Sequence, residues 1–508
     1  MLPNSNRARD LASIVHQQTE LSAMRETGAT LMTRGEGVYV FDEDGKRYLE
    51  GMAGMWSASL GFSETRLAEA AYAQMQALPY YHTFHSRGHL AAVDLAEKLL
   101  AMAPEGRPGN PLSKVLFHCS GSECNDTAIK LVWYVNNLRG RPEKKKIIGR
   151  QMGYHGCTIA AASLTGMPGM HREFDLPVSG RFLHTSFPHW YRFHEAGESE
   201  EDFATRMAED LENLILAEGP ETVAAFFAEP VQGGGGALTP PRTYFEKIQA
   251  VLRRYEVMFI ADEVICGFGR TGNPWGCDTY AIQPDMVSCG KALSASYQPI
   301  SALMISEEIH QALLEQSARL GNFSLGFTFA AHPVACAVAK RTLEIYEEDR
   351  VFEHAAEVSP AFLGALEGLR DHPLVGDVRG VGLIAGVELM ADRARRAAFA
   401  LEAKVGTRVQ ERAMANGLLV RASGDRICFT PPLIIDRAQI EEMADLFRRT
   451  LDETLDLALA ITTVDHALHE FVVFRVRVLV FFAPEADHRK QILDLAEHPL
   501  FDDGLELL

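Results

Sequence analysis

The sequence predicts an α/β fold: a mainly parallel mixed sheet with crossover helices in a large domain, accompanied by a smaller α+β domain. Three observations predict it. Short apolar runs alternate with amphipathic helical patterns through the first two thirds of the chain, as a parallel sheet covered by helices requires. A β-rich hairpin signal precedes that alternation. Beyond about residue 335 the pattern changes to long amphipathic helices interleaved with β-like runs.

Residues 35–51, GEGVYVFDEDGKRYLEG, carry two β-rich runs on either side of Asp44-Gly45, a pair that tolerates the positive φ of a tight hairpin turn. Helical periodicity follows at 67–78, 91–102 and 126–138, while the apolar runs 114–118, 146–148, 222–228, 257–261 and 286–289 read as strands. Further on, 333–348 and 399–416 read as helices, and 382–389 and 426–429 as strands. The acidic stretch 195–221 reads as a solvated helix face. The expected division is 1–70 as an N-terminal segment joining the small domain, 71–332 as the large domain, 333–460 as the rest of the small domain and 461–508 as an extra C-terminal segment. Within that last segment, 471–482 is an apolar run broken only by Arg475 and Arg477, too short and too charged to span a bilayer. It reads as a strand added to the small domain or to an oligomer contact.

A chain of 508 residues, 47% apolar and 23% charged, can bury a large core. Its formal charge of -19 repels phosphate backbones and anionic bilayers, which argues against nucleic-acid and membrane partners. The eight cysteines are dispersed and form no C-x-x-C pair, so no metal site is expected and a reducing compartment fits. The first 27 residues, with Arg7, Arg9, Asp10 and Glu20, lack the apolar core of a secretory signal, and the expected location is the cytoplasm.

Four motifs carry chemistry through their place on the βα scaffold. Cys119-Ser120-Gly121-Ser122-Glu123 lies between the apolar run Val115-Leu116-Phe117 and a helical stretch, where free N–H groups and hydroxyls suit a phosphate. Alone, a plain N-cap is the better account of it. Gly153-Tyr154-His155-Gly156 follows the strand at 146–148 and could lay a tyrosine ring on a planar ligand, or simply pack a turn aromatic on the core. The run VMFIADEV ends in Asp262 and Glu263, carboxylates at the strand end where α/β sheets bind ligands. A pyridinium partner, a magnesium ligand and an N-cap all remain open for them. DMVSCGK presents Lys291 at the end of another β-like run, 29 residues after Asp262, where desolvation and a nearby cation would lower its pKa for imine formation. Taken together, phosphate loop, stacking aromatic, ring-nitrogen carboxylate and imine-forming lysine give every part of one cofactor, pyridoxal 5'-phosphate, a partner.

The runs SGSECNDTAIKL, GYHG, AEPVQGGGG, IADEVICGFGRTG, SCGKALSASYQPISA, GFTFAAHP and DHPLVGDVRGVGLIAGVEL resemble class III pyridoxal-phosphate aminotransferases, in particular the ω-transaminase (amine:pyruvate) group, over roughly residues 30–455. The resemblance implies a fold type I pyridoxal-phosphate-dependent transferase whose large domain binds the cofactor. It implies Lys291 as Schiff-base lysine and proton shuttle, Asp262 at the pyridine nitrogen, and Val264 on the ring face opposite Tyr154. Ser120, Gly121 and Ser122 would bind the phosphate, joined by Thr328 of the neighbouring subunit. His155 would also lie at the cofactor, with Glu229 and Gln232 on its hydroxyl side. Trp56, Phe84 and Tyr154 match substrate-pocket walls, and Arg421 matches a mobile arginine that grips a substrate carboxylate in one half-reaction. Cys124, Ala330-Ala331 and Gln298-Pro299 depart from the residues usual in these motifs.

The implied reaction is a ping-pong transfer from an amine donor to a keto acid, pyruvate foremost, in a homodimer or dimer of dimers with active sites at the subunit interface. An aminomutase on the same scaffold is the alternative. Two glycine motifs are set aside. Residues 380–385 match G-x-G-x-x-A but lead into a β-like run instead of opening a helix, and 233–236 lacks the Gly-Lys-Ser/Thr ending of a phosphate loop and reads as a close-approach turn.

Overall fold

The computed structural model describes residues 4–455; the segment 461–508, expected as an added strand, lies outside the described residues. An antiparallel ribbon opens the fold: β1 (Met32–Glu36), β2 (Tyr39–Asp42) and β3 (Arg47–Glu50). β2 and β3 pair through Val40 and Tyr48 across the Asp44-Gly45 turn, where Gly45 takes a φ of 81°.

The centre is a seven-stranded sheet of β4 (Leu112–His118), β5 (Lys146–Arg150), β6 (Phe182–Thr185), β7 (Val223–Ala228), β8 (Met258–Asp262), β9 (Met286–Cys289) and β10 (Ser301–Ser306), in the order β4-β10-β9-β8-β7-β5-β6. β5 through β9 pair in parallel, whereas β10 runs antiparallel to both β4 and β9. Six strands therefore share one direction and a single strand opposes them, which is the mixed, mainly parallel sheet expected. The reversed β10 is not among the strands read from the sequence. Only residues 290–300 separate it from β9, and they form one short turn of helix, too little for a crossover, so the chain returns antiparallel.

Every residue of β7, β8, β9 and β10 is buried, because helices cover both faces of the sheet. Alternate side chains feed two cores. Ala225, Phe227, Met258 and Ile260 pack under the helices Gly121–Leu138 and Glu307–Leu320. Phe226, Ala228, Phe259 and Ala261 pack with Leu95, Phe203, Phe245 and Tyr346 on the opposite side. The acidic stretch contains the helix Glu200–Glu218, which buries Phe203, Met207, Leu211 and Ile215 at a spacing of four and leaves its carboxylates outward.

A second antiparallel sheet follows: β11 (Val375–Val381), β12 (Ile384–Leu389), β14 (Arg421–Ser423) and β15 (Arg426–Phe429), in the order β11-β12-β15-β14, while β13 (Leu418–Leu419) joins β3 in parallel. Gly382, with φ 58°, turns β11 into β12, so residues 380–385 form a hairpin. The stretch 399–416, expected as one helix, divides into a short turn at Leu401–Ala403 and a helix at Val405–Ala415, because Lys404 adopts φ 46° between them. Among the described residues no helix is long and apolar enough to cross a membrane.

Candidate active site

The carboxyl ends of β4, β5, β7, β8 and β9 all open on the same edge of the sheet, where the next residues of each strand meet in a cavity of about 430 Å³. Ser120, Gly121, Ser122, Tyr154, His155, Glu229, Asp262, Val264 and Lys291 all line it.

Lys291 is two residues past β9 and adopts a φ of 47°, a left-handed conformation that costs a non-glycine residue about 1–3 kcal/mol. That backbone aims the side chain into the cavity. The amine is deeply set, with some of its chain open to the cavity, and burial lowers its pKa from the ordinary lysine value. Arg421 lowers it further, while Asp262, Glu229 and Cys266 oppose the shift.

Asp262 is the last residue of β8 and is buried. Its Oδ2 accepts from His155 Nδ1 at 2.8 Å and from the Asn125 side-chain amide at 2.9 Å, and its Oδ1 accepts from the Val264 backbone at 3.2 Å. These donors hold the carboxylate in one orientation at the cavity wall. Glu263, its neighbour, points away and accepts from the Gly276 and Cys277 backbone at 3.0 and 2.6 Å, capping the helix Gly276–Tyr280. The two strand-end carboxylates thus have separate tasks. Asn125, which the motif reading did not single out, also donates to the His155 carbonyl at 2.7 Å. Its signal was its spacing: four residues beyond Gly121 on a helix puts it on the same face as the loop.

The helix expected at 126–138 begins at Gly121, so the small polar loop is its first turn. Ser120 caps it, accepting from Glu123 N at 3.2 Å, and the Glu123 carboxylate returns to Cys119 N at 2.8 Å. Gly156 packs on Ser122 so closely that an added Cβ would lie 2.5 Å from Ser122 Oγ.

Glu229 follows β7 and joins two loops, accepting from Tyr154 N at 3.0 Å and from Gly233 N at 2.9 Å. Burial pushes its carboxyl above the usual range. The glycines at 233–236 are a close-approach turn, since a Cβ on Gly234 would stand 3.1 Å from Tyr154 Cβ and one on Gly235 would stand 2.6 Å from the Met152 carbonyl.

The remaining residues named from the sequence lie outside this lining. Gln232 is buried beside it, donating to the Gln151 carbonyl at 2.9 Å, and its Oε1 has no partner among the described residues. Trp56 is buried in a cluster with Ile265, which does line the cavity. Arg421 on β14 places Nη1 3.0 Å from Met55 Sδ and acts electrostatically on both Tyr154 and Lys291. Phe84 and Thr328 are not brought to the cavity within one chain. Phe84 packs on Gly326 in a second cavity of about 410 Å³, and Thr328 is exposed, its carbonyl accepting from Tyr80 at 2.8 Å.

The donor set suits pyridoxal phosphate. A capped helix N-terminus with two serines and a glycine could take a phosphate, a fixed carboxylate could pair with a protonated ring nitrogen, and a deep amine of lowered pKa could condense with an aldehyde. His155 Nε2 and Asn125 Oδ1 remain buried without partners among the described residues, polar capacity left at the same wall.

The family model for class-III aminotransferases matches residues 22–451. Gamma aminobutyrate transaminase 3, chloroplastic, of Solanum lycopersicum is 48% identical over 424 residues, covering 84% of this chain and 81% of that protein. Vanillin aminotransferase of Capsicum chinense is 46% identical over 424 residues, covering 84% of this chain and 91% of that protein. Among solved structures, the omega transaminase from Pseudomonas jessenii in complex with PMP superposes with a TM-score of 0.87 at 50% identity, covering 89% of this chain and 99% of that one.

Proposed function

The chain belongs to the class-III aminotransferase family, and on that premise we propose that it moves an amino group from a primary amine or ω-amino acid to a keto acid, pyruvate, in a two-stage ping-pong cycle. It is a fold type I transferase that uses pyridoxal phosphate. The observation that carries the reading is the convergence of five strand ends on one cavity holding Lys291, Asp262, Tyr154 and the Ser120–Ser122 loop.

When bound, the cofactor supplies a carbonyl that condenses with a primary amine and an electron sink for the charge left when the substrate Cα–H bond breaks. The protein's residues do the rest. The phosphate would rest on the first turn of the helix at Gly121, where N–H groups and dipole favour negative charge. Asp262 would hold a proton on the ring nitrogen, kept in register by His155 and Asn125. Tyr154 and Val264 would enclose the ring, and Glu229 fixes Tyr154 by its backbone.

Lys291 Nζ would take the proton from the substrate carbon that bears the nitrogen and deliver it to the cofactor's C4′ on the other side of that nitrogen. Its lowered pKa raises the fraction of free amine able to act as that base. Arg421 would pair with the carboxylate of the keto acid or of a carboxylate-bearing donor and yield the space to an uncharged amine. The exposed Thr328 and the separately placed Phe84 support a homodimer in which a second copy completes each site. Relatives named for γ-aminobutyrate and for vanillin, one chemistry a carboxylate and the other an aryl group, support a pocket that takes both.

A donor panel with pyruvate tests the reading. Alanine should accumulate with an ω-amino acid and with an arylalkyl amine. Absence of alanine with every donor, or donor rearrangement without any keto acid as an aminomutase would give, overturns it.

A further inference from the structure

Trp56, read as a substrate-pocket wall, is carried by a short, distorted loop, and one buried carboxyl group holds that loop. Glu50 ends β3 at 5% exposure. Its Oε2 accepts from Gly54 N at 2.8 Å and its Oε1 from Met52 N at 3.3 Å. Among the described residues no arginine, lysine or histidine pairs with it. Burial without a counter-charge favours the protonated carboxyl, and the two backbone N–H groups bind its oxygens in either state.

The backbone it grips is unusual. Ala53, Gly54 and Trp56 take φ values of 46°, 67° and 66°, and two of these three are not glycine. Such a run persists only where its surroundings over-determine it. Trp56 N donates to the Met52 carbonyl at 2.8 Å and Ser57 N to the Ala53 carbonyl at 3.0 Å, closing the turn, but the only side chain that hydrogen-bonds the loop's amides among the described residues is Glu50.

The loop's outputs reach both sides of the substrate region. Trp56 packs in the cluster that contains Ile265, a cavity-lining residue, and a Cβ on Gly233 would lie 3.5 Å from its ring. Met55 Sδ meets Arg421 Nη1 at 3.0 Å. Gly51, between Glu50 and the loop, donates to the Leu419 carbonyl at 2.9 Å, and a Cβ there would stand 2.8 Å from that oxygen. The loop therefore hangs from the junction of β3 with β13, two residues before Arg421.

We propose that Glu50 is a positioning residue that sets the balance between carboxylate-bearing and aryl donors by fixing where the loop places Trp56 and Met55 relative to Arg421. The inference rests on the reading of Trp56 and Arg421 as substrate-facing residues. Glu50 touches no substrate. It acts through two amides, and a change in their geometry moves an aromatic wall and the resting place of a guanidinium together.

The test is Glu50→Gln in the full-chain holoenzyme, an isosteric change in which one accepting oxygen becomes a donor. The readout is the ratio of kcat/KM for an ω-amino acid to kcat/KM for an arylalkyl amine, both with pyruvate. The ratio should change by about tenfold or more, the size expected when a pocket contact is misplaced, while borohydride labelling of Lys291 stays intact. A purely structural role would lower both values in parallel and leave the ratio fixed, which overturns the proposal. Gly54→Ala is the second variant, since its Cβ meets no neighbour within 4 Å yet the residue is strained at φ 67°, and it should move the ratio by disturbing the amide that donates to Glu50 Oε2. Should Glu50→Gln not fold, an unchanged ratio in Gly54→Ala overturns the proposal by itself. Trp56→Ala separates the two layers: no change of ratio there refutes the reading of Trp56, whereas a change there with none in the loop variants refutes the role of Glu50.

Discussion

Asn125→Ala isolates the support of the catalytic wall from the wall itself. The side chain is buried at 1% exposure and spends both amide hydrogens, one on Asp262 Oδ2 and one on the His155 carbonyl. Truncation removes one bond to a charged acceptor, worth about 1.5–3 kcal/mol, and one to a neutral carbonyl, worth about 0.5–1.5 kcal/mol, so a loss of about 2–4 kcal/mol of stability is expected. Asp262 keeps the His155 bond and the Val264 amide. It should thus stay near the ring nitrogen with a looser orientation, and the donor half-reaction should slow by about 10- to 100-fold, less than removal of Asp262 itself. Denaturant unfolding reads the first quantity and single-turnover kinetics with an amine donor reads the second. Wild-type values of both in the variant would refute the claim that this triad fixes the carboxylate.

Glu50 and Glu263 are both pushed up to about 7 by burial, so each keeps its proton in the folded state between about 4.5 and 7 while the unfolded chain has released it. Stability should fall as pH rises through that window, by up to about 3 kcal/mol per group, and Glu263→Gln should flatten its share when unfolding midpoints at pH 5 and pH 8 are compared. Arg421→Ala should raise KM for pyruvate and for ω-amino acid donors by about 100-fold, the value of a bidentate pair, while sparing an arylalkyl amine in the first half-reaction; equal losses for both donors would contradict its assignment. Gly156→Ala should weaken cofactor retention, because its Cβ would collide with Ser122 Oγ at 2.5 Å and disturb the phosphate turn. Equilibrium dialysis of the cofactor checks that directly.

Much of this was legible in the chain because the chemistry sits where patterns break. Apolar runs that stop at a polar residue placed Asp262 and Lys291 at strand ends, and a strand-to-helix junction placed Ser120 to Ser122 at a helix N-terminus. Asn125 escaped notice because a polar residue in a helix reads as solvated until the fold shows what lies across from it. Glu50 escaped for a similar reason: in a hairpin strand its side chain reads as outward, yet in the fold it is buried where β3 pairs with β13. β10 was missed because its direction follows from the length of the connection and not from its own composition. Phe84 and Thr328 match their motifs, yet within one chain they stand apart from the cavity of Lys291, since a motif records residue identity and not where the fold places it.

Borohydride reduction of the cofactor-loaded protein, followed by peptide mapping, is the most direct test of the account. Lys291 should carry the stable label, and Lys291→Ala should lose both label and turnover. Label on a different lysine, or none with the cofactor bound, would contradict the assignment on which the site and the proposed reaction depend.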